Sequence, residues 1–354
     1  MKNSKLLPVI LLSSMLLCFN CSKKNDHAWF SFDESAVKKH YNGDESINLR
    51  ILNPENKEID SIVYYSNDKK LAAVKGAQPH TYALAQQRLG YQNLKADVYF
   101  DGEALPEQVT LRTELVSKVQ PKLLPYTIVN SYPHQTSSFT QGLEFYNDTL
   151  IESTGLRGSS RLLKTDYKTG KILKELAIGA QYFGEGITII NNRIFQLTWQ
   201  ENTGFIYNAD TWKPEKTYTY DKKIEGWGLA NDGRYIYQSD GTEKIWKMEP
   251  DTQKLLDHIN VYTASTKIKQ VNELEWINGK LYGNIWQKDA LAVIDPATGS
   301  VEAIVDLSAL RKLVRNNTAE ALNGIAYNPK TKTIFVTGKN WDTMFEIRVN
   351  DTAL

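Results

Sequence analysis

The stretch "FGEGITIINNRIFQLTW", residues 183–199, decides the fold. A glycine-flanked acid, Glu185, leads into the apolar run "ITII", the chain turns at Asn191-Asn192, and "RIFQLTW" returns to Trp199. Asparagine tolerates the left-handed backbone of a tight turn, so the stretch reads as a β-hairpin. The same unit recurs four times. Its other openings are "TQGLEF" (140–145), "GWGLAN" (226–231), "NELEWI" (272–277) and "LNGIAY" (322–327). The matching returns are "TLIESTG", "YIYQSDG", "KLYGNIW" and "TIFVTGK", and the period is about 45 residues, a spacing typical of repeat architectures.

Four repeats continue through a third strand, a turn ("DYKTGK", "NADTWK", "EPDTQK", "DPATGS") and a fourth strand, whereas the fifth stops after "MFEIRV". The segment "YTIVNSY" (126–132) precedes the first repeat and can supply the missing strand, closing a ring and hiding both edges. The expected fold is all-β, a five-bladed β-propeller over 122–354. A long sandwich or solenoid does not explain the one-strand offset.

Superposing the repeats aligns two rows of residues. One holds Gln141, Glu185, Trp227, Asn272 and Asn323; the other, at the end of each return strand, holds Gly155, Trp199, Gly241, Trp286 and Lys339. Start and end of an antiparallel hairpin lie side by side, so both rows face one mouth of the channel. Framework positions in a repeat solve one packing problem and stay alike; these differ in every repeat, as a single asymmetric ligand site requires. Phe139 and Phe183, two residues before Gln141 and Glu185, add to an apolar wall or pack between blades. Glu225 has the same offset in the third repeat and is the rival acid. Glu273, Glu275 and Glu320 read as structural hydrogen-bonding groups.

The preceding region, 27–118, alternates with period two, as in "SINLRIL", "DSIVYYS", "ADVYFDG" and "QVTLRTEL". It reads as a small immunoglobulin-like β-sandwich, joined to the repeats by a proline-marked linker, "SKVQPKLLP". Residues 1–21 form an export leader. Its apolar run, Leu6 to Leu17, falls short of the ~20 residues needed to span a bilayer. Cys21 and the polar "SKKND" after it resemble a bacterial lipoprotein processing site, which implies lipidation of Cys21 and a lipid-anchored place in the cell envelope; plain secretion is the alternative. Both cysteines, Cys18 and Cys21, lie in the leader. Forty-two Lys and Arg balance 41 Asp and Glu without a basic stripe, which argues against nucleic acid. The five scattered histidines show no metal-binding spacing, and Walker, GxSxG and GxGxxG motifs are absent. No metal ligands are assigned.

"FTQGL", "FGEGI", "QLTW", "EGWGL", "VNELE", "NIW" and "GKNW" resemble, in order and spacing, the blade motifs of the plant and bacterial glutaminyl-peptide cyclotransferases. The resemblance covers roughly residues 124–350. It implies conversion of the N-terminal glutamine of peptides or proteins to pyroglutamate with release of ammonia. Glu185 would be the acid/base; Gln141, Trp199, Trp227, Asn272, Trp286 and Lys339 would form the pocket. Lys339 or Asn272 would stabilise the oxyanion. No cofactor is required, and a structural cation deeper in the channel is compatible with the sequence. Two other classes compete. A non-catalytic, lectin-like or peptide-binding propeller has no need of one proton-exchanging carboxylate, and a metal-dependent hydrolase wants several convergent acids where the two rows offer only Glu185.

Overall fold

The computed structural model describes residues 28–350; the segment expected to be a leader, with Cys18 and the expected lipidation site Cys21, lies outside them. The described chain is almost wholly β-strand. Five four-stranded antiparallel arrays follow residue 125. The first runs Thr140–Tyr146, Thr149–Thr154, Arg161–Asp166, Lys171–Ala177, and the second runs Gly184–Ile190, Arg193–Thr198, Thr203–Asn208, Pro214–Thr219. The third and fourth repeat this order from Leu229–Asn231 and Val271–Ile277. The fifth has three consecutive strands, Leu322–Asn328, Thr333–Gly338 and Thr343–Val349, and takes its outer strand, Tyr126–Pro133, from before the first array.

Turn chemistry sets the hairpins. Asn147-Asp148 and Asn191-Asn192 both hold positive φ, between 46° and 62°, the geometry whose twist matches that of the flanking strands. Tyr146 therefore pairs with Thr149, and Ile190 with Arg193. Second strands such as Leu150–Thr154 and Ile194–Thr198 are buried along their whole length because each array packs between two others. Outer strands such as Lys171–Ala177 are largely exposed.

The five inner strands touch one another in cyclic order. Glycine permits that approach: a Cβ on Gly186 would stand 2.6 Å from the Trp227 carbonyl oxygen, and one on Gly228 2.1 Å from that of Asn272. Gly142 and Gly324 hold the same place in the first and fifth arrays. In the fourth it is Glu273, whose carboxylate accepts from Leu143 N at 3.2 Å and from Ile325 N at 2.8 Å, in two other arrays. Glu275 likewise accepts from Tyr327 N at 2.7 Å. Both acids are the structural groups the sequence suggests.

The region before residue 118 holds a five-stranded sheet, ordered His40–Tyr41, Glu107–Leu115, Gly90–Phe100, Ile59–Ser66, Lys69–Lys75, and two short strand pairs. Phe30, Ile47, Leu49, Ile62, Tyr64 and Leu94 fill its core, and Tyr262 of the repeat region completes that core. The Tyr262 hydroxyl donates to Glu114 Oε1 at 2.6 Å, and the Lys267 ammonium pairs with the same carboxylate at 2.7 Å. The segment read as a linker is more tightly held than its prolines suggest. Lys122–Leu123 adds a parallel strand to the fourth array, and Leu124 is buried in that array's core while Leu123 stays exposed.

Ring closure is reinforced at one buried pair. His134, just after the outer strand of the fifth array, places Nε2 3.2 Å from Glu152 Oε1 and Nδ1 2.9 Å from the Trp341 carbonyl. Burial works against the imidazolium, but Glu152 and the Trp341 carbonyl outweigh it, so the His134 pKa is raised. A raised folded pKa stabilises fully below the unfolded value of about 6.5 and is lost as pH rises through the folded value. The difference in Tm between wild type and His134→Gln is therefore expected to be largest at pH 6 and to shrink above neutrality; a pH-independent difference in a thermal melt series contradicts this.

Candidate functional site

The strands deliver both rows to one mouth. Gly155 N donates to the Phe139 carbonyl, Trp199 N to Phe183, Trp286 N to Gln270 and Lys339 N to Ala321, all at 2.8–3.0 Å. Each return strand thus ends beside the residue two before the first row. The third array departs from this pattern, with Trp227 N bonded to the Ser239 carbonyl. The glycines of the second row leave room for aromatic rings: a Cβ on Gly155 would meet the Phe183 ring at 2.4 Å, and one on Gly241 the Trp227 indole at 2.5 Å.

A cavity of about 520 Å³ occupies this mouth. Every site residue assigned from the sequence to the repeat region lines it: Phe139, Gln141, Phe183, Glu185, Trp199, Trp227, Asn272, Trp286 and Lys339. Phe139 and Phe183 therefore do form part of the wall. Gln270, Gln287, Glu320 and Ala321 join them. Gln270 and Ala321 share the offset of Phe139 and Phe183, so extending that row to the fourth and fifth repeats was the available signal. Glu320 lines the cavity, and its backbone carbonyl accepts from Trp341 Nε1 at 2.9 Å. A larger cleft, about 800 Å³, lies between the N-terminal sheets and the third and fourth arrays; it gathers exposed surface charges rather than buried ones.

Glu185 is 5% exposed. Gln141 Nε2 donates to its Oε1 at 2.9 Å, and Asn323 Nδ2 donates to Gln141 Oε1 at 3.0 Å. That second bond occupies the oxygen of Gln141 and turns its NH₂ toward the acid. Burial raises the Glu185 pKa well above the ordinary carboxylate value; Lys339 draws it back, while Glu225 and Glu201 push it further up. Lys339 shows the complement. Burial lowers its pKa and the charges of Glu185 and Glu320 oppose that. Its ammonium lies 4.8 Å from the centre of the Phe139 ring. Asn272 lines the cavity and is buried, with its Oδ1 lacking a hydrogen-bond partner within the protein.

The rival acid, Glu225, is differently placed. Trp199 Nε1 donates to its Oε2 at 2.8 Å, Trp227 Nε1 to the same oxygen at 2.9 Å and Gln200 Nε2 to its Oε1 at 3.0 Å. Burial would raise its pKa, but these donors together hold it below the usual carboxylate range. Glu225 is thus a fixed anion, whereas Glu185 is poised to hold a proton or release it. Among the described residues no three His, Cys, Asp or Glu side chains gather so as to hold a metal ion.

Comparison with known proteins gives the same direction. Residues 104–349 match the model of a family described as glutamine cyclotransferase. The chain is 39% identical over 230 residues to a glutaminyl-peptide cyclotransferase of Arabidopsis thaliana, covering 64% of this chain and 72% of that protein. A crystal structure of Myxococcus xanthus glutaminyl cyclase superposes with a TM-score of 0.61 at 35% identity, over 66% of this chain and all of that one. With the match extending over both rows of the mouth, the chain belongs to the glutamine cyclotransferase family.

Proposed function

We propose that this chain converts the N-terminal glutamine of peptides and proteins to pyroglutamate at this mouth, with Glu185 as the acid/base. Family membership supports the reaction, and one observation carries the assignment of the residue: Glu185 is buried, raised in pKa and held by Gln141 in an aromatic pocket. The substrate's α-amine attacks the carbon of its own side-chain amide. A C–N bond forms, the bond to the amide NH₂ breaks, and ammonia leaves once one proton has moved from the attacking to the departing nitrogen. Glu185 relays that proton, a task worth about 10²–10⁴ in rate.

Nucleophile and electrophile arrive on one molecule, so selecting the cyclic conformer matters as much as the proton. Orientation can supply up to ~7–11 kcal/mol in favourable cases, and the aromatic wall is built for a compact apolar contact. Lys339 and Asn272 lie in the same cavity. A Lys339 ammonium or the NH₂ of Asn272 can stabilise the developing oxyanion, at ~3 kcal/mol for a well-placed donor. No cofactor enters this scheme. A structural cation deeper in the channel stays a separate proposal with no ligands assigned, since Glu273 and Glu275 spend their carboxylates on backbone N–H groups.

Glu185→Gln keeps size and a hydrogen-bonding oxygen but loses the basic site. Ammonia release from a Gln-initiated dipeptide amide is expected to fall about 10²-fold or more in kcat, with KM moving less. In the wild type the acid limb of kcat/KM lies above the ordinary carboxylate value of about 4.3, since burial, Glu225 and Glu201 together outweigh Lys339. A fully active, folded Glu185→Gln enzyme removes this mechanism.

The five arrays, with their inner strands in cyclic contact, support a five-bladed β-propeller from about residue 122, and the N-terminal sheets support an immunoglobulin-like sandwich over 27–118. We infer that the sandwich is a spacer or docking module, since the cavity draws no residue from it. A chain beginning at Lys122 is expected to keep turnover while melting at a lower temperature, because Tyr262 and Lys267 lose the partners they have in the sandwich. Loss of all activity in a folded truncation contradicts the inference. The leader supports export and anchoring in a bacterial envelope through Cys21. Incorporation of labelled fatty acid that persists in Cys21→Ser counts against it.

A further inference from the structure

Five aromatic rings follow one another around the mouth. Phe139 and Phe183 meet edge to face with centres 6.1 Å apart, Phe183 and Trp199 at 5.6 Å, and Trp227 and Trp286 at 6.2 Å. The run is thus two pieces, Phe139–Phe183–Trp199 and Trp227–Trp286. What joins them is a single oxygen, Glu225 Oε2, which accepts both indole N–H groups at 2.8 and 2.9 Å.

We propose that Glu225 is a positioning residue of the substrate site, its carboxylate fixing the indoles of Trp199 and Trp227 so that the two aromatic pieces form one continuous wall. The third array is where such a clamp is needed. Its inner strand, Leu229–Asn231, is the shortest of the five, and Trp227 lies ahead of it, outside regular pairing. Trp227 leans on Gly241, where any side chain would collide with the indole. Packing places the body of the ring, and the bond to Glu225 sets the rotation of its N–H edge. Gln200 Nε2 donates to the other carboxylate oxygen at 3.0 Å, so the clamp is itself held. The residue thus acts on how tightly and in which pose the N-terminal glutamine is bound; its charge also pushes the Glu185 pKa up, but it does not itself carry the proton.

This inference rests on the mouth being the substrate site, so its test includes a readout that needs no turnover. Indole ¹⁵N–¹H resonances of the eight tryptophans can be assigned by single Trp→Phe changes. Glu225→Ala is expected to move the Trp199 and Trp227 resonances upfield and to raise KM about tenfold, while kcat on the pH-independent plateau stays within about threefold and its acid limb moves down with the Glu185 pKa. Glu225→Gln retains an acceptor oxygen without the charge. Both resonances are expected to shift part of the way, with KM within about threefold of wild type. Unchanged resonances in Glu225→Gln overturn the clamp, even if Glu225→Ala fails to fold. A Glu225→Gln enzyme that loses kcat as severely as Glu185→Gln overturns it too, by making Glu225 a catalytic residue. If instead Glu185→Gln stays active, the mouth's assigned chemistry fails while the indole shifts still decide the role of Glu225.

Discussion

The whole arrangement depends on how closely the inner strands approach one another. At Gly142, Gly186 and Gly228 backbone of the neighbouring array sits 2.1–2.6 Å from where a Cβ would be, closer than a side chain allows, and at Gly324 the Thr140 methyl sits at a tight 3.0 Å. Inner-strand pairing is interrupted at this level in four of the arrays, between Thr140 and Gly142, Gly184 and Ile187, Val271 and Leu274, and Leu322 and Ile325. The interruption frees backbone N–H groups, and a buried N–H must find a partner. Gly186 N takes the Trp227 carbonyl; Leu143 N and Ile325 N take Glu273. One requirement, close approach at the axis, met by glycine in four arrays and by Glu273 in the remaining one, thereby generates both the contacts between arrays and the level at which the preceding residue, in four of the five arrays, lines the mouth.

Those outward-facing residues bear the cost of their position. Glu185 and Lys339, both buried, are pushed by desolvation toward their neutral forms, and burying such groups costs of order several kcal/mol per ion when it is charged. A protein selected for stability alone would fill these places with apolar side chains. The compensation is local: Gln141, itself held by Asn323, donates to the carboxyl without supplying a charge, so the carboxyl is held in place while its pKa stays raised. Glu225 has the opposite environment. Three donors keep it ionised, and the same three bonds set the aromatic wall.

Stability comes from burial and closure, since the described residues contain no cysteine. The chain closes by laying Tyr126–Pro133 against Thr343–Val349, joining segments more than two hundred residues apart. His134, Glu152 and the Trp341 carbonyl lock that seam from the side. The N-terminal sheets contribute at a distance. Their core is completed by Tyr262 from the loop that leads into the fourth array, which supplies Gln270, Asn272 and Trp286 to the cavity.

Much of this was legible in the residues. Hairpins, their register and the repeat are local properties, set by Asn-Asp, Asn-Asn and Asn-Gly turns and by apolar runs of fixed length, and the row from Gln141 to Asn323 follows from counting outward from those turns. Extending the count by two residues would also have placed Gln270 and Ala321 in the wall. The sequence preferred Glu185 to Glu225 by its place in the row and by resemblance, but could not show the surroundings of either, or that Glu320 lines the cavity, because those properties depend on partners distant along the chain. Gln141 lies 44 residues from Glu185 and Asn323 182 residues from Gln141; desolvation depends on all five arrays at once. Local chemistry determined where side chains emerge, and only the closed tertiary structure decided which carboxylate keeps its charge, since a pKa is a property of the surroundings and not of the residue.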